Sequence, residues 1–193
     1  MKSKKSWREK LTDKKDLPKV VSAPASMIGR WGITSQEETL LIPSPEEVDQ
    51  MMKRVPEGSV TTLPEISAAL AEEHQASVCC PLTTGIFAVI AAQAAEEEAR
   101  ETGSEEITPW WRTLQGDGRL HPKFPGVLEL QAARLEAEGH QIIGRGSTRR
   151  VDAWERHLAP LLPTPVAKPK GKAKRGRSGR NQSSEGASRP LTK

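Results

Sequence analysis

Apolar residues recur at helical spacing in four stretches of this chain. Val48, Met51, Met52 and Val55 fall at i, i+3, i+4 and i+7, on one face of a helix. Ser44-Pro45-Glu46-Glu47 supplies its start: a serine N-cap, proline at the first helical position and glutamate three residues after the cap. Pro56-Glu57-Gly58 ends it. Thr62-Leu63-Pro64-Glu65 repeats the start signal and opens a second helix through His74, with Ile66, Ala69 and Leu70 inward. Pro81 heads a third helix. Ile86, Phe87, Ile90, Ala91 and Ala94 form its expected buried stripe, and Ala88, Ala92 and Ala95 allow close packing. The chain then turns polar and acidic over 96–106. A fourth helix spans roughly 127–138, with Leu128, Leu130, Ala133, Leu135 and Ala137, and Gly139 as its C-cap. His140-Gln141-Ile142-Ile143 and Thr148-Arg149-Arg150-Val151 flank Gly144-Arg145-Gly146-Ser147 as a hairpin does. A short helix over 152–158 follows.

Two helices joined by a tight turn, the second rich in alanine, have a helix-turn-helix shape; an ordinary αα-hairpin has the same spacing. With the hairpin attached, the predicted fold is mainly α, a winged helix-turn-helix-like domain. Its expected bounds are 44–160. Residues 1–43 form a basic, partly ordered extension, in which Trp7, Leu11, Leu17 and Val20-Val21 dock on the core and Leu40-Leu41-Ile42 make a short strand. Residues 161–193 read as a disordered basic tail: Pro163, Pro165 and Pro169, then Gly, Ser, Lys and Arg with almost nothing apolar.

Charge sharpens this picture. The net +4 hides an asymmetry. Residues 168–193 hold nine Lys/Arg against Glu185 alone, +8, and residues 1–20 hold eight against three acids, +5, which leaves −9 for residues 21–167. The ends have the composition of polyanion-binding arms or of solubilising tails. Only 35% of the chain is apolar and 4% aromatic, so the core is modest. No 18-residue apolar run is present, so no membrane span is expected. The Lys-rich N-terminus has no apolar h-region, unlike a secretory signal. The two cysteines are adjacent, Cys79-Cys80, too few for a disulfide framework or a zinc site, and point to a reducing, cytoplasmic compartment.

Candidate chemistry concentrates in Pro109-Trp110-Trp111-Arg112. Two adjacent indoles, in a chain with no tyrosine and two phenylalanines, sit beside a guanidinium. Such a wall can hold a planar base by stacking; the same indoles can equally fill the core. Arg119, His121 and Lys123 follow at short range, and Arg145, Arg149 and Arg150 lie on the expected wing, as phosphate contacts or as a solvated face. No metal-ligand spacing and no phosphate-cradling Gly loop occur, so neither metal nor cofactor is expected.

The motifs in series resemble the DNA-binding domain of the alkylguanine-DNA alkyltransferase family over roughly 46–140. Val55-Pro56-Glu57-Gly58-Ser59-Val60-Thr61-Thr62 with Glu65-Ile66 resembles its opening Val-Pro-x-Gly-x-Val-x-Thr-Tyr-Gly-x-Ile. Pro109-Trp110-Trp111-Arg112 sits where the family has Pro-Cys-His-Arg. Asp117-Gly118-Arg119-Leu120 resembles the Asp-Gly-x-Leu that follows, and Gly126, Leu135 and Glu138-Gly139 resemble its Gly-Gly…Leu-Leu-x-x-Glu-Gly helix. The departures define the expected function. The methyl-accepting cysteine falls on Trp110 and the activating histidine on Trp111; only Glu138 matches the relay glutamate. An indole cannot accept an alkyl group as a thiolate does. Trp110 resembles the alkyltransferase-like proteins, which bind alkylated guanine without repairing it. The tyrosine that helps rotate the nucleotide falls on Leu63, and the arginine finger near Leu82.

The resemblance implies a non-enzymatic protein of DNA repair that binds double-stranded DNA and takes an alkylated or otherwise modified base. Trp110, Trp111, Arg112 and Glu138 would form the base pocket, with Arg112 bracing the loop. Leu63, Leu82, Thr83, Thr84, Gly85, Arg119, Lys123, Arg145, Arg149 and Arg150 would meet DNA. A monomer, nucleoid-associated in the cytoplasm, with a downstream repair protein as a further partner, is the corresponding expectation. Two alternatives stay open: a protein-interaction module on the same fold, favoured by the −9 middle, and an alkyl-transfer enzyme using Cys80 at the head of the third helix.

Overall fold

The computed structural model describes residues 5–13 and 15–161. The basic tail thus lies almost wholly outside the described residues. Among the described residues, five α-helices and three small sheets make a mixed, mostly helical unit. No helix among the described residues is long and apolar enough to cross a membrane.

The helix starts follow their sequence signals. Helix α1 (Trp7–Leu11) and helix α2 (Pro45–Lys53) each open on a complete capping box, Ser6 with Glu9 and Ser44 with Glu47. Helix α3 (Leu63–Glu73) is capped by Thr62, whose hydroxyl accepts from the Glu65 N–H at 3.3 Å. Helix α4 (Pro81–Thr102) starts at proline and stops at Gly103, which takes the left-handed conformation. The polar stretch from 96 is therefore helical rather than loop; Glu97 and Glu101 hold Arg8 of α1 against it. At 1.5 Å per residue α4 is about 33 Å long. Helix α5 (Val127–Ala137) closes the set.

Strands β1 (Lys19–Ser22) and β2 (Thr39–Ile42) pair antiparallel, Val20 opposite Leu41, and β2 runs parallel to β4 (Val78–Cys79). Residues 19–42 therefore share a sheet with the turn between α3 and α4. A parallel pair joins β3 (Thr61–Thr62) to β5 (Thr113–Leu114). Strands β6 (Ile142–Ile143) and β7 (Arg150–Val151) form the C-terminal hairpin. It is tied to the Asp117–Leu120 turn: Leu120 N–H donates to Arg149 O at 3.0 Å and Val151 N–H to Gly118 O at 3.2 Å. The helix expected over 152–158 is a 3-10 turn, Trp154–His157.

Helices α1, α2 and α3 pack on α4. Ala88, Ala91, Ala92 and Ala95 let α2 and α3 approach closely, and Met51, Met52, Ile66 and Leu70 fill the space with Trp110 at the centre. Val60, Leu114, Leu120, Leu128 and Leu135 form a second cluster under β3, β5 and α5. Ile86, expected in the buried stripe, is instead on the open side of α4.

Candidate nucleic-acid interface

Trp110–Arg112 form one 3-10 turn leading into β5. Thr108 anchors it: its hydroxyl donates to Asp49 Oδ1 at 2.6 Å, and Asp49 also pairs with Lys53. The turn drives Trp110 inward. Its side chain is 0% exposed. Its ring meets Phe124 and Trp111 edge-on, at 5.6 and 6.0 Å between centroids. Its Nε1–H donates to Glu96 Oε1 at 2.9 Å. Arg134 of α5 pairs with that same oxygen at 2.6 Å and lies against both indoles, 5.4 and 4.5 Å from their centroids. Protein occupies the faces and edges that a stacking partner would need. The stacking role expected for Trp110 is therefore corrected: the position where the resembled family keeps sulfur is sealed in the core.

Trp111 is half-buried, and its Nε1–H donates to Glu138 Oε1 at 2.6 Å. Arg112 clamps the same carboxylate, with Nε at 2.9 and 3.0 Å from its two oxygens and Nη2 at 2.8 Å. Its Nη1 donates to the Val55 carbonyl at 2.8 Å, and the Gly58 N–H adds a 3.4 Å contact to Glu138 Oε2. Burial pushes the Glu138 carboxyl up; the hydrogen bonds from Arg112 and Trp111 outweigh it and hold the group below the usual carboxylate range. Trp111, Arg112 and Glu138 thus come together in a closed ionic node, not around an open pocket.

At the head of α4, Leu82 stands 64% exposed. The Thr83 hydroxyl turns back onto the Cys80 carbonyl at 3.1 Å. Thr84, expected to meet phosphate, is a second correction. It is fully buried, accepts from Ser67 at 3.1 Å and donates to the Cys80 carbonyl at 3.0 Å, because its position on the first turn faces α3. Gly85 lies across from Leu63, whose Cδ1 would be 3.9 Å from an added Cβ. Leu63 itself packs on the core and lines a cavity. Arg119 is engaged with Asp117 at 2.6 Å and Arg149 with Glu129 at 3.1 Å. Lys123, Arg145 and Arg150 are exposed and carry no ion pair among the described residues.

His121 is also unlike a phosphate contact. Its ring stacks on Phe124 at 4.3 Å. Burial, with Lys123 adding to it, pushes its pKa down to about 4, so the ring is neutral at pH 7. The two cysteines are buried and free. Cys80 packs with Ala23, Ile33 and Leu40. Burial pushes the Cys79 thiol up to about 11, against the opposing hydrogen bond from Thr84. Cys80, buried in that cluster, is not set out to meet a substrate, which counts against its reading as an alkyl acceptor.

Part of the acidic character of the middle lies far from the head of α4. Glu96, Glu97 and Glu101 lie in the C-terminal part of α4 and are paired with Arg134 and Arg8. From Leu82 to Glu96 the axis runs about 21 Å at 1.5 Å per residue. That exceeds two Debye lengths of about 8 Å at physiological salt, so the head of α4 is largely screened from those carboxylates.

Sequence reasoning missed Gln131, Arg134 and Glu96. Gln131 is fully buried, donates to the Trp111 and Thr113 carbonyls at 3.1 and 2.9 Å, and accepts from the His121 N–H at 2.8 Å. Gln131, Arg134 and Glu138 sit at i, i+3 and i+7, a polar stripe on an otherwise apolar face that the sequence already displays. No group of three or more His, Cys, Asp or Glu side chains among the described residues is arranged to hold a metal ion.

No protein-family model matches this sequence, and no curated protein does. Among solved structures, the chain is similar to the crystal structure of S. pombe Atl1 in complex with damaged DNA containing O6-carboxymethylguanine. The identity is 19%, the match covers 60% of this chain and 94% of that one, and the TM-score is 0.39.

Proposed function

We propose that this chain is a non-enzymatic double-stranded DNA-binding protein of alkyltransferase-like form, which takes an unpaired or modified base and passes the site to a downstream repair protein. The observation that carries the reading is the node at Arg112. Val55, Gly58, Trp111 and Glu138 come from three distant parts of the chain and meet on one guanidinium–carboxylate pair. These are the segments whose order resembles the alkyltransferase domain, so the resemblance corresponds to a physical cluster rather than to scattered letters. The node lies beside the β3–β5 pair, from which α3 begins, and the head of α4 carries no charged side chain, which supports reading α3 and α4 as a helix-turn-helix. A sealed indole where a sulfur would be, together with buried thiols, supports binding without alkyl transfer.

Affinity in this reading is electrostatic. Lys123, Arg145 and Arg150, if each meets a phosphate, contribute a slope of about −3 in log K against log salt, and the basic tails steepen it. Fluorescence anisotropy of a labelled duplex across a salt series tests this. The expected outcome is micromolar binding near physiological salt that weakens with at least that slope; binding that is absent at low salt, or indifferent to salt, overturns the reading. A second reading, a protein-interaction module, is favoured by the exposure of Leu82 and Ile86, 64% and 49%. Leu82→Glu separates the two. It weakens duplex binding if the head of α4 faces phosphates and leaves it unchanged if that head faces a protein.

A further inference from the structure

Two cavities of about 550 and 660 Å³ flank the head of α4 and share Pro81, Gln115 and His121 in their walls. The first is also lined by Trp31, Leu63 and Gly116. Its size is that of sites for small planar ligands, and its walls are mostly apolar with few polar groups, as such sites are. Two of those groups have a readable polarity. The Nδ1 of His121 accepts from the Lys123 N–H at 3.3 Å, so the neutral ring carries its proton on Nε2. That Nε2 is neither hydrogen-bonded within the described residues nor sealed from solvent. The amide nitrogen of Gln115 donates to the Leu120 carbonyl at 2.7 Å; a carbonyl only accepts, so the amide orientation is fixed and Oε1 remains as an open acceptor. Trp31 contributes an indole 40% exposed, held on a residue with φ of +54°, where a bulky side chain is uncommon.

We propose that this groove, and not the Trp110 position, receives the extruded base: a planar heterocycle that stacks on Trp31 and is read along one edge by a donor, His121 Nε2–H, and an acceptor, Gln115 Oε1. A donor beside an acceptor complements a ring nitrogen beside an exocyclic amine, the pattern of adenine N7 and N6. It mismatches the same edge of guanine, where N7 and O6 both accept. The ligand class is therefore a purine that presents N7 beside an exocyclic amine, as adenine does and guanine does not. The assignment rests on the DNA-binding reading for the source of that base, while a free nucleoside of the same edge chemistry fits the same walls.

The test uses the full chain with four probes: a fully paired duplex, the same duplex with one bulged adenine, the same with one bulged guanine, and free adenosine. Tightest binding is expected for the bulged adenine, on the order of tenfold over bulged guanine, the scale of a two-bond base contact. His121→Phe keeps the ring but removes the donor and abolishes the preference. Trp31→Leu, at an exposed site, weakens both bulges relative to the paired duplex. Equal affinity for the two bulges, or a preference that survives His121→Phe, overturns the assignment even if the paired duplex binds well, and in that case the DNA-binding reading stands alone. Adenosine binding that Trp31→Leu weakens, without binding to any duplex, keeps the groove and removes DNA as its source. Failure of all four probes overturns both.

Discussion

Removing the carboxylate of Glu138 is the sharpest perturbation of this fold. The Arg112–Glu138 pair is nearly buried, with side chains 13% and 9% exposed, and the carboxylate accepts from Arg112, Trp111 and the Gly58 N–H. Glu138→Ala strands a guanidinium that keeps only the Val55 carbonyl, and orphans the Trp111 N–H. Breaking one side of a buried pair costs about 3–5 kcal/mol. For a unit of this size each kcal/mol moves Tm by about 2–4 °C, so a fall of roughly 10 °C is expected. Arg112→Met should cost a similar amount. The double variant Arg112→Met/Glu138→Leu should cost far less than the two singles together, because no charge is left stranded. Urea denaturation of the four proteins measures this cycle. The pH dependence has a fixed sign. The folded carboxyl titrates below the usual value of 4.5, so its contribution is full above that pH and is lost as pH falls through the depressed folded value. Singles that cost under 1 kcal/mol, or that add in the double variant, refute the node as the organiser of the three motif segments it joins.

Two more predictions follow from local geometry. Gly118 has φ of +78°, and an added Cβ would lie 2.1 Å from Cδ1 of Trp154, so Gly118→Ala should destabilise the chain by about 2 kcal/mol or more; thermal unfolding checks it, and an unchanged Tm contradicts the packing of the hairpin against this turn. For His121 the folded pKa of about 4 lies below the ordinary 6.5, so the unfolded chain binds the extra proton between those values. Stability should fall on acidification from pH 6.5 toward 4 by up to about 3 kcal/mol at 1.36 kcal/mol per unit, less in His121→Phe; NMR titration of the ring with a midpoint near 6.5 refutes it.

The helices were legible because their signals are local. Ser44 and Thr62 cap where a side-chain oxygen precedes an apolar stripe, and Gly103 ends α4 where φ must be positive. The end of α4 was misplaced because acidic residues look like loop in composition, yet Glu97 and Glu101 are held by Arg8, some 90 positions away. The indole pair was misread for a related reason. Local sequence gives Trp110 a proline and an arginine as neighbours, which suits a surface loop. Its actual partners, Glu96 and Arg134, come from two helices and decide its direction only after the chain has folded. Trp31 carries no local signal of a site, since nothing near it in sequence indicates that it borders the start of α3.

The sealed indole and the open groove are two consequences of one packing choice. Trp110 is a large side chain, and burying it with an N–H···carboxylate bond gives the core both area and a satisfied polar edge. Phe124 meets the indole edge-on and carries His121 stacked on its own ring, at 4.3 Å. That stack places a neutral imidazole on the wall shared by both cavities. A cationic imidazole there would need a counter-charge, and the nearest ionic neighbour is Lys123, which repels it. In the proposed reading the groove reads an uncharged edge by hydrogen bonds, while phosphate attraction falls to Lys123 beside it and to Arg145 and Arg150 of the C-terminal hairpin. That reading assigns recognition and attraction to different side chains. Neutralising Lys123, Arg145 and Arg150 should therefore weaken binding to every duplex alike, and changing His121 should alter only the choice among bases.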